Sequence, residues 1–579
     1  MKRFASLLLA LVMVVSLAAC GSTADETPAV SSSSAAPASS TAPAASDSAS
    51  TLPALTPDKP VTLSVWLTSN FAAPAADNKL TKLLKDKLGV TVNYEIITPD
   101  NADQKIGVML AGAEYPDLIG TVDPNARFIT GNALIPLDEY LKAGVADNLF
   151  THVQPYWNRM AYDAGSGKHI YILPNYNRYY GDITGGVNYS TSGFWIQKAV
   201  LEDAGYPDIS NMTLDKYFKL IEDYVKKYPT IDGQPTIGFE IIAAPGREWG
   251  LTNPPEYLAG FPNDGGVIVE NSVASIFANK DISKTYYKYL NDMNAKGLID
   301  KESFAQTLDQ YLAKLATGRV LGMYDQRWDF GNANDALVSA KKDNRTWVPL
   351  QPVYEGKTPY YADRDVMNIN QGFGVSVSSK QPDVAIAFLN TMMSEEWQKI
   401  LSWGIEGEDY MVGGDGKFTR TQEQRDNSKD LTWQSSNQLL ALRDLLPKHN
   451  GQFSDGNAYS PNDQPAEFFA TLSEYDKNFL TQYGKKTWRD FNNQPPENPV
   501  YYPAWNIALP DGSDAQMASK QLQDTAIQYL PKAVLAAPGD FEGIWTKYIE
   551  TINKIDVKAY EDAINAGIQD RIKNWGGSK

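Results

Sequence analysis

Few side chains in this 579-residue sequence have the chemistry of catalysts or metal ligands. There is one cysteine, Cys20, and three histidines, His152, His169 and His449. The histidines form no H-x-x-x-H pair and have no cysteine partner, so the sequence points to no metal site and no cofactor. AGSGKH (164–169) has the glycines and lysine of a phosphate loop, but the earlier glycine is missing and His169 stands where Ser or Thr is required. It reads as a tight turn before a strand. No G-x-S-x-G elbow supplies a serine nucleophile. Two carboxylates among the 69 Asp and Glu could form a glycoside-cleaving pair, and spacing alone does not locate them. The abundant groups are flat rings, 13 Trp, 32 Tyr and 20 Phe, several beside polar residues at expected loop positions. The binding candidates are Trp66 at the end of the first strand, Asn177 and Tyr180 in NYNRYYGD (175–182), and Arg247 and Trp249 in APGREWG (244–250). Asp325, Arg327 and Trp328 in MYDQRWD (323–329) and Trp403 in SWGIEG (402–407) complete the set. Arg247 and Arg327 read either as ligand clamps or as salt-bridge partners.

Cys20 calls for a different chemistry. Lys2 and Arg3 precede an apolar run from 7 to 17 that closes on Ala18 and Ala19, the layout of a secretory signal and too short for a comfortable membrane span. Leu17-Ala18-Ala19-Cys20 resembles the bacterial lipobox, in which the thiol is acylated and the cysteine becomes the first residue of the mature chain. The sequence is therefore expected to divide into a signal peptide (1–19) and a lipidated Cys20 leading a Ser/Ala/Pro/Thr stalk (20–57). That stalk has almost nothing to bury and is expected to be disordered, with a reach of roughly 35 Å. Together they place the body on the extracellular face of a Gram-positive-type cell membrane.

The rest of the chain is long enough for two or more cores. The formal net charge of −17 becomes −19 once Lys2 and Arg3 leave with the signal. Such an acidic body argues against nucleic acid and polyanionic ligands. No intramolecular disulfide is possible with Cys20 alone.

Periodicity sets the first folded elements. Residues 61–66 alternate apolar and polar side chains, as in a strand; 77–88 place Leu80, Leu83, Leu84 and Leu88 on one helical face before Gly89; 90–97 form a second strand. A helix over 103–113 and a short strand over 117–119 follow. Strand–helix–strand–helix–strand implies parallel pairing, with ligands at the carboxyl ends of the strands.

These features, with the ordered segments AGAEYPDLIG (111–120), ALIPLDEYL (133–141), GKHIYILPN (167–175), WIQKAVLEDAGY with MTLDKYFKLIEDYVKKY, and the stretch 382–410, resemble the carbohydrate-type extracellular solute-binding proteins of ABC importers, in their large Gram-positive form. The resemblance implies an α/β, two-lobed periplasmic-binding-protein-like clamp, each lobe a sheet flanked by helices, with multiple inter-lobe crossings. Lobe 1 is expected over 58–183 plus 371–425 and lobe 2 over 184–370 plus 426–579. The crossings are expected near 179–186, near 370–374 and after Tyr410. Larger family members often carry a calcium loop after the helix that opens lobe 2; here KYPTIDGQPTIGFE lacks the alternating oxygens, so no calcium site is expected there.

The implied function is capture, without chemistry, of a small solute by a monomer that passes it to the importer's permease subunits. An oligosaccharide fits best, because sugar rings offer C–H faces to aromatic surfaces, and MYDQRWD resembles the place where sugar binders carry a stacking Trp. A peptide-binding lipoprotein of an ABC importer and a secreted glycoside hydrolase are the alternatives.

Overall fold

The first strand, β1 (Val61–Thr68), is rich in β-branched and apolar residues, and both its faces are covered. In the computed structural model Leu63, Val65 and Leu67 enter one core with Leu80, Leu84, Leu118 and Phe373. Trp66 turns to the opposite face and packs with Ile106, Met109 and Phe128. Burial on both faces is what a parallel sheet between two layers of helices requires. The structure describes residues 51–122, 125–165, 167–175, 192–244, 246–361, 371–448, 451–492, 504–505 and 507–574. All lie in one unit, Ser50–Lys579.

Local chemistry explains the ends of the following elements. Helix α1 (Lys79–Leu88) starts where Asn78 Oδ1 accepts the Thr81 amide at 2.9 Å. It stops at Gly89, whose φ of 68° is left-handed and where an added side-chain carbon would lie 2.3 Å from the Thr56 carbonyl oxygen. Strand β2 (Val90–Ile97) pairs parallel with β1. Helix α2 (Pro99–Gly112) begins four residues before the expected 103, because Pro99 suits a first helical position. Strand β3 (Leu118–Val122) pairs parallel on the other side of β1. AGSGKH forms the expected turn: Asp163 Oδ1 accepts the Gly165 and Gly167 amides, and Lys168–His169 pairs back onto Tyr162–Asp163.

The chain then adds β4 (Leu173–Pro174) and builds a second sheet from β5 (Ser192–Gln197), β6 (Ile237–Ile241), β7 (Val320–Gln326) and β8 (Trp347–Leu350). Helix α3 (Leu214–Lys227) and helix α4 (Leu308–Leu315) flank it. Strand β9 (Gln371–Val375) returns to the first sheet. The orders are β2-β1-β3-β9-β4 and β6-β7-β5-β8. β9 runs antiparallel to β3 and β4, and β5 antiparallel to β7 and β8. The ends of β1, β2, β3 and β4 therefore share one edge with the start of β9, and the ends of β6, β7 and β8 share one with the start of β5. After α3, Thr230–Ile231 and Gln234–Pro235 form a hairpin turned by Asp232 and Gly233, and Lys342 Nζ binds the Asp232 carboxylate at 2.7 Å.

One expected crossing, near 370–374, and one expected boundary need correction. Gly372 and Gly374 lie inside β9, so the change of lobe comes before residue 371. At Gly372, with φ 135°, an added carbon would sit 2.1 Å from the Leu173 carbonyl oxygen; glycine is required there by close strand approach, not by an inter-lobe bend. The expected crossing at 179–186 lies outside the described residues. The boundary at 425/426 is too early. Helices α5 (Pro382–Met392), α6 (Glu395–Trp403) and α7 (Leu440–Leu445) all pack on the first core, through Ile386, Leu389, Trp397, Leu442 and Leu445. Asn78 Nδ2 also donates to the carbonyls of Ser435 and Gln438 at 2.8 and 2.9 Å. The second core resumes with α8 (Pro465–Thr471), through Phe468, and continues in α9 (Asp514–Leu535), α10 (Phe541–Ile552) and α11 (Val557–Asn574). Buried Glu467 fastens this last passage: it accepts from the Arg420 amide at 2.7 Å and from Arg425 Nε and Nη2 at 2.9 and 2.8 Å.

Candidate functional site

Strands β6 and β7 are parallel neighbours, so the loops that leave their ends lie side by side. The first carries Arg247, Glu248 and Trp249; the second carries Arg327, Trp328 and Asp329. Arg247 Nε donates to Asp329 Oδ1 at 3.0 Å and Nη1 donates to the Gly246 carbonyl at 3.0 Å. The guanidinium carbon of Arg247 lies 5.4 Å from the centre of the Trp328 ring, within cation–π range. Trp249 lies 5.9 Å from Trp328 with the rings inclined at 43°. Trp328 Nε1 donates to Gln326 Oε1 at 2.5 Å, yet the residue remains 55% exposed. An indole held by neighbours on its edge and one face, and open elsewhere, is a ready stacking surface.

The carboxylates of the second loop's strand end are buried. Asp325 is sealed: its Oδ2 accepts the Tyr311 hydroxyl at 2.6 Å and its Oδ1 the Gln326 amide at 2.6 Å. Burial pushes the Asp325 carboxyl well above its usual range, the negative charge of Asp329 adds to the shift, and Tyr311 and Arg247 oppose it. Burial also raises Asp329, against the pull of Arg247. The pair is close enough for mutual repulsion. Arg327 stands apart, 3.9 Å from Asp335 and over the Phe330 ring at 5.4 Å.

The first lobe approaches this loop pair at the start of α2. A side-chain carbon at Gly246 would lie 3.2 Å from Asp100 Oδ1, and Asp329 feels the charge of Asp100. Beside it Arg127 binds Asp103 Oδ1 at 2.5 Å and Asp511 Oδ2, across the lobes, at 3.2 Å.

The candidates from the sequence therefore separate. Arg247, Trp249, Asp325 and Trp328 come together, with Arg327 on the same loop. Trp66 and Trp403 do not join them. Trp66 is 0% exposed, edge-on to Phe128 at 5.9 Å, because strand alternation points it under α2. Trp403 is 1% exposed in a satellite core with Tyr410, Phe418 and Phe453, its Nε1 donating to the Ala458 carbonyl at 3.0 Å. Cys20, Asn177 and Tyr180 lie outside the described residues. Sequence reasoning missed Asp329, Tyr311 and Asp100. Asp329 was in view, in the same short motif as Trp328, but its pairing with Arg247 across 82 positions has no sequence signal.

Among the described residues no group of three or more His, Cys, Asp or Glu is placed to hold a metal ion, and no helix is long and apolar enough to cross a membrane.

Comparison with known proteins gives a consistent result. A family model described as bacterial extracellular solute-binding protein matches residues 66–399. Among solved structures, the HMO-binding, ABC-transporter-associated solute-binding protein of Bifidobacterium longum infantis superposes with a TM-score of 0.61 at 17% identity, covering 89% of this chain and 99% of that one. The S. pneumoniae ABC-transporter substrate-binding protein FusA, in complex with kestose, gives 0.62 at 16%, covering 89% and 100%. The alginate-binding protein AlgQ2, without calcium ion, gives 0.59 at 16%, covering 88% and 98%. At these identities the likeness is one of fold. None of the curated proteins matches the chain.

Proposed function

The chain belongs to the bacterial extracellular solute-binding protein family, and we propose that its solute is an oligosaccharide, held between the two lobes without chemical change and passed to the permease of an ABC importer. Trp328 carries this reading: a half-exposed indole is fixed by Arg247, Trp249 and Gln326 at the carboxyl edge of the second sheet, where an α/β sheet receives ligands. The ring takes the C–H face of a sugar, and Arg247 is held where its unused donor hydrogens meet hydroxyls. Asn177, Tyr180 and Arg327 are proposed to add polar contacts. Acylated Cys20 is the proposed tether, holding a monomer at the outer face of the cell membrane.

Thermal-shift screening of the full-length chain against plant, host and microbial oligosaccharides tests the proposal. At least one saccharide should raise the melting temperature, unaltered after recovery. Stabilisation by short peptides alone would overturn the sugar assignment, and release of new reducing ends would overturn capture without chemistry.

A further inference from the structure

The charges around Trp328 bear on which oligosaccharides the site takes. Its cations are already committed. Arg247 is bound to Asp329. Arg127 lies between Asp103 and Asp511. Arg327 faces Asp335. Two further carboxylates have no such cation among the described residues. Asp100 is exposed at the start of α2 and abuts Gly246. Glu248 receives only neutral donors, the Gly246 amide at 3.1 Å and Gln523 Nε2 at 3.3 Å. Among the described residues, leaving out the sealed Asp325, three arginines stand against six carboxylates.

We propose that the site accepts uncharged glycans and rejects those bearing uronate, sialate or sulfate groups. The proposal rests on the carbohydrate reading above and narrows its substrate class. An anionic sugar on the Trp328 face would meet Arg247 already neutralised by Asp329, and would bring its charge toward Asp100 and Glu248 with no free cation among the described residues to compensate. A few ångströms of separation at a partly wet surface make such repulsion a substantial fraction of binding energy. A neutral sugar meets no such opposition, and its hydroxyls can donate to the same carboxylates, which gives charge-assisted hydrogen bonds.

The test compares sugars that differ in charge alone. Tetramers of galacturonate, guluronate and glucuronate, and the neutral tetramers made from each by carboxyl reduction, are titrated calorimetrically into the full-length chain, together with neutral gluco-, manno-, xylo- and fructo-tetramers. Neutral tetramers should include the tightest binder, and each uronate should bind at least about tenfold more weakly than its reduced counterpart in low salt. The gap should shrink about threefold or more in 0.5 M salt, because surface electrostatics are screened. Asp100→Asn should narrow the gap between each uronate and its reduced counterpart about threefold. A uronate that binds as tightly as its reduced form overturns the charge rule and leaves the carbohydrate reading standing. A gap insensitive to salt also overturns it, since the discrimination would then be steric. If no saccharide of either kind binds, the carbohydrate reading fails and this inference fails with it.

Discussion

The first sheet ends its central strands on hydroxyls: Thr68 and Thr121 are buried and joined at 3.1 Å. The second ends on carboxylates and rings, with Asp325 sealed against Tyr311, Asp329 clasping Arg247, and Glu240 buried one residue before the end of β6. The two lobes share a layered architecture but not an electrostatic one. A hydroxyl pair bonds without charge, whereas buried carboxylates need partners brought from elsewhere, here Tyr311, Arg247, Ser303 and Gln306. That cost is consistent with a role beyond packing, and the second edge is where the exposed ring stands.

The sharpest way to break this comparison uses the two tryptophans. Trp66→Ala, in the first lobe, should lower unfolding free energy by ~3–5 kcal/mol, read by denaturant titration, because it leaves a cavity under α2. A loss below 1 kcal/mol would remove Trp66 from the core and return it to the candidates for ligand contact.

The buried charge of the second lobe should show as a pH dependence. Burial raises the Glu240 carboxyl, repulsion from Asp300 adds to this, and Lys314 and Ser303 oppose; the result is about 8 against a usual 4.5. An acid raised in this way holds an extra proton in the folded state between the two values. Its contribution is therefore fully present below about 4.5 and is lost as pH rises through about 8, by up to about 1.4 kcal/mol per pH unit. Glu240→Gln should flatten the fall in unfolding free energy between pH 5 and 8.5 relative to the parent chain. Equal slopes in both proteins would show Glu240 to be ionised and paired throughout.

Trp328→Ala should show the opposite pattern to Trp66→Ala. Over a ring contact of ~80 Å² the lost burial is about 2 kcal/mol, roughly thirtyfold in saccharide affinity by calorimetry, with the ligand-free melting temperature nearly unchanged. A large melting loss would place the ring's role in folding and not in binding.

The smallest effect concerns Asp329. Asp329→Asn keeps the shape but weakens the hold on Arg247, and should reduce saccharide affinity about fivefold, near 1 kcal/mol. Affinity unchanged by this variant would show that Arg247 does not need Asp329 to support the ring.

Sequence alone determined the class of the molecule. Alternating β-branched runs, the leucine stripe 80–83–84–88 and the stop at Gly89 are local signals, set by side-chain period and backbone freedom, and the elements β1 to β3 follow them closely. The segment order sufficed for the family, and motif position put Arg247, Trp249 and Trp328 forward as candidates, whereas Asp325 proved to lie inside β7 and sealed. What the sequence could not settle is which face of an element meets which partner. Trp66 and Trp328 both follow strand-like residues and sit beside polar ones, but one is covered by α2 and the other is left open. Gly372 and Gly374 read as a hinge until Leu173 and Leu134 are laid against them. Helix α7, late in the chain, joins the first core through contacts with strands hundreds of residues away. Burial and charge pairing are properties of distant segments brought together, so only the tertiary structure decided which ring is left open to a ligand and which carboxylates surround it.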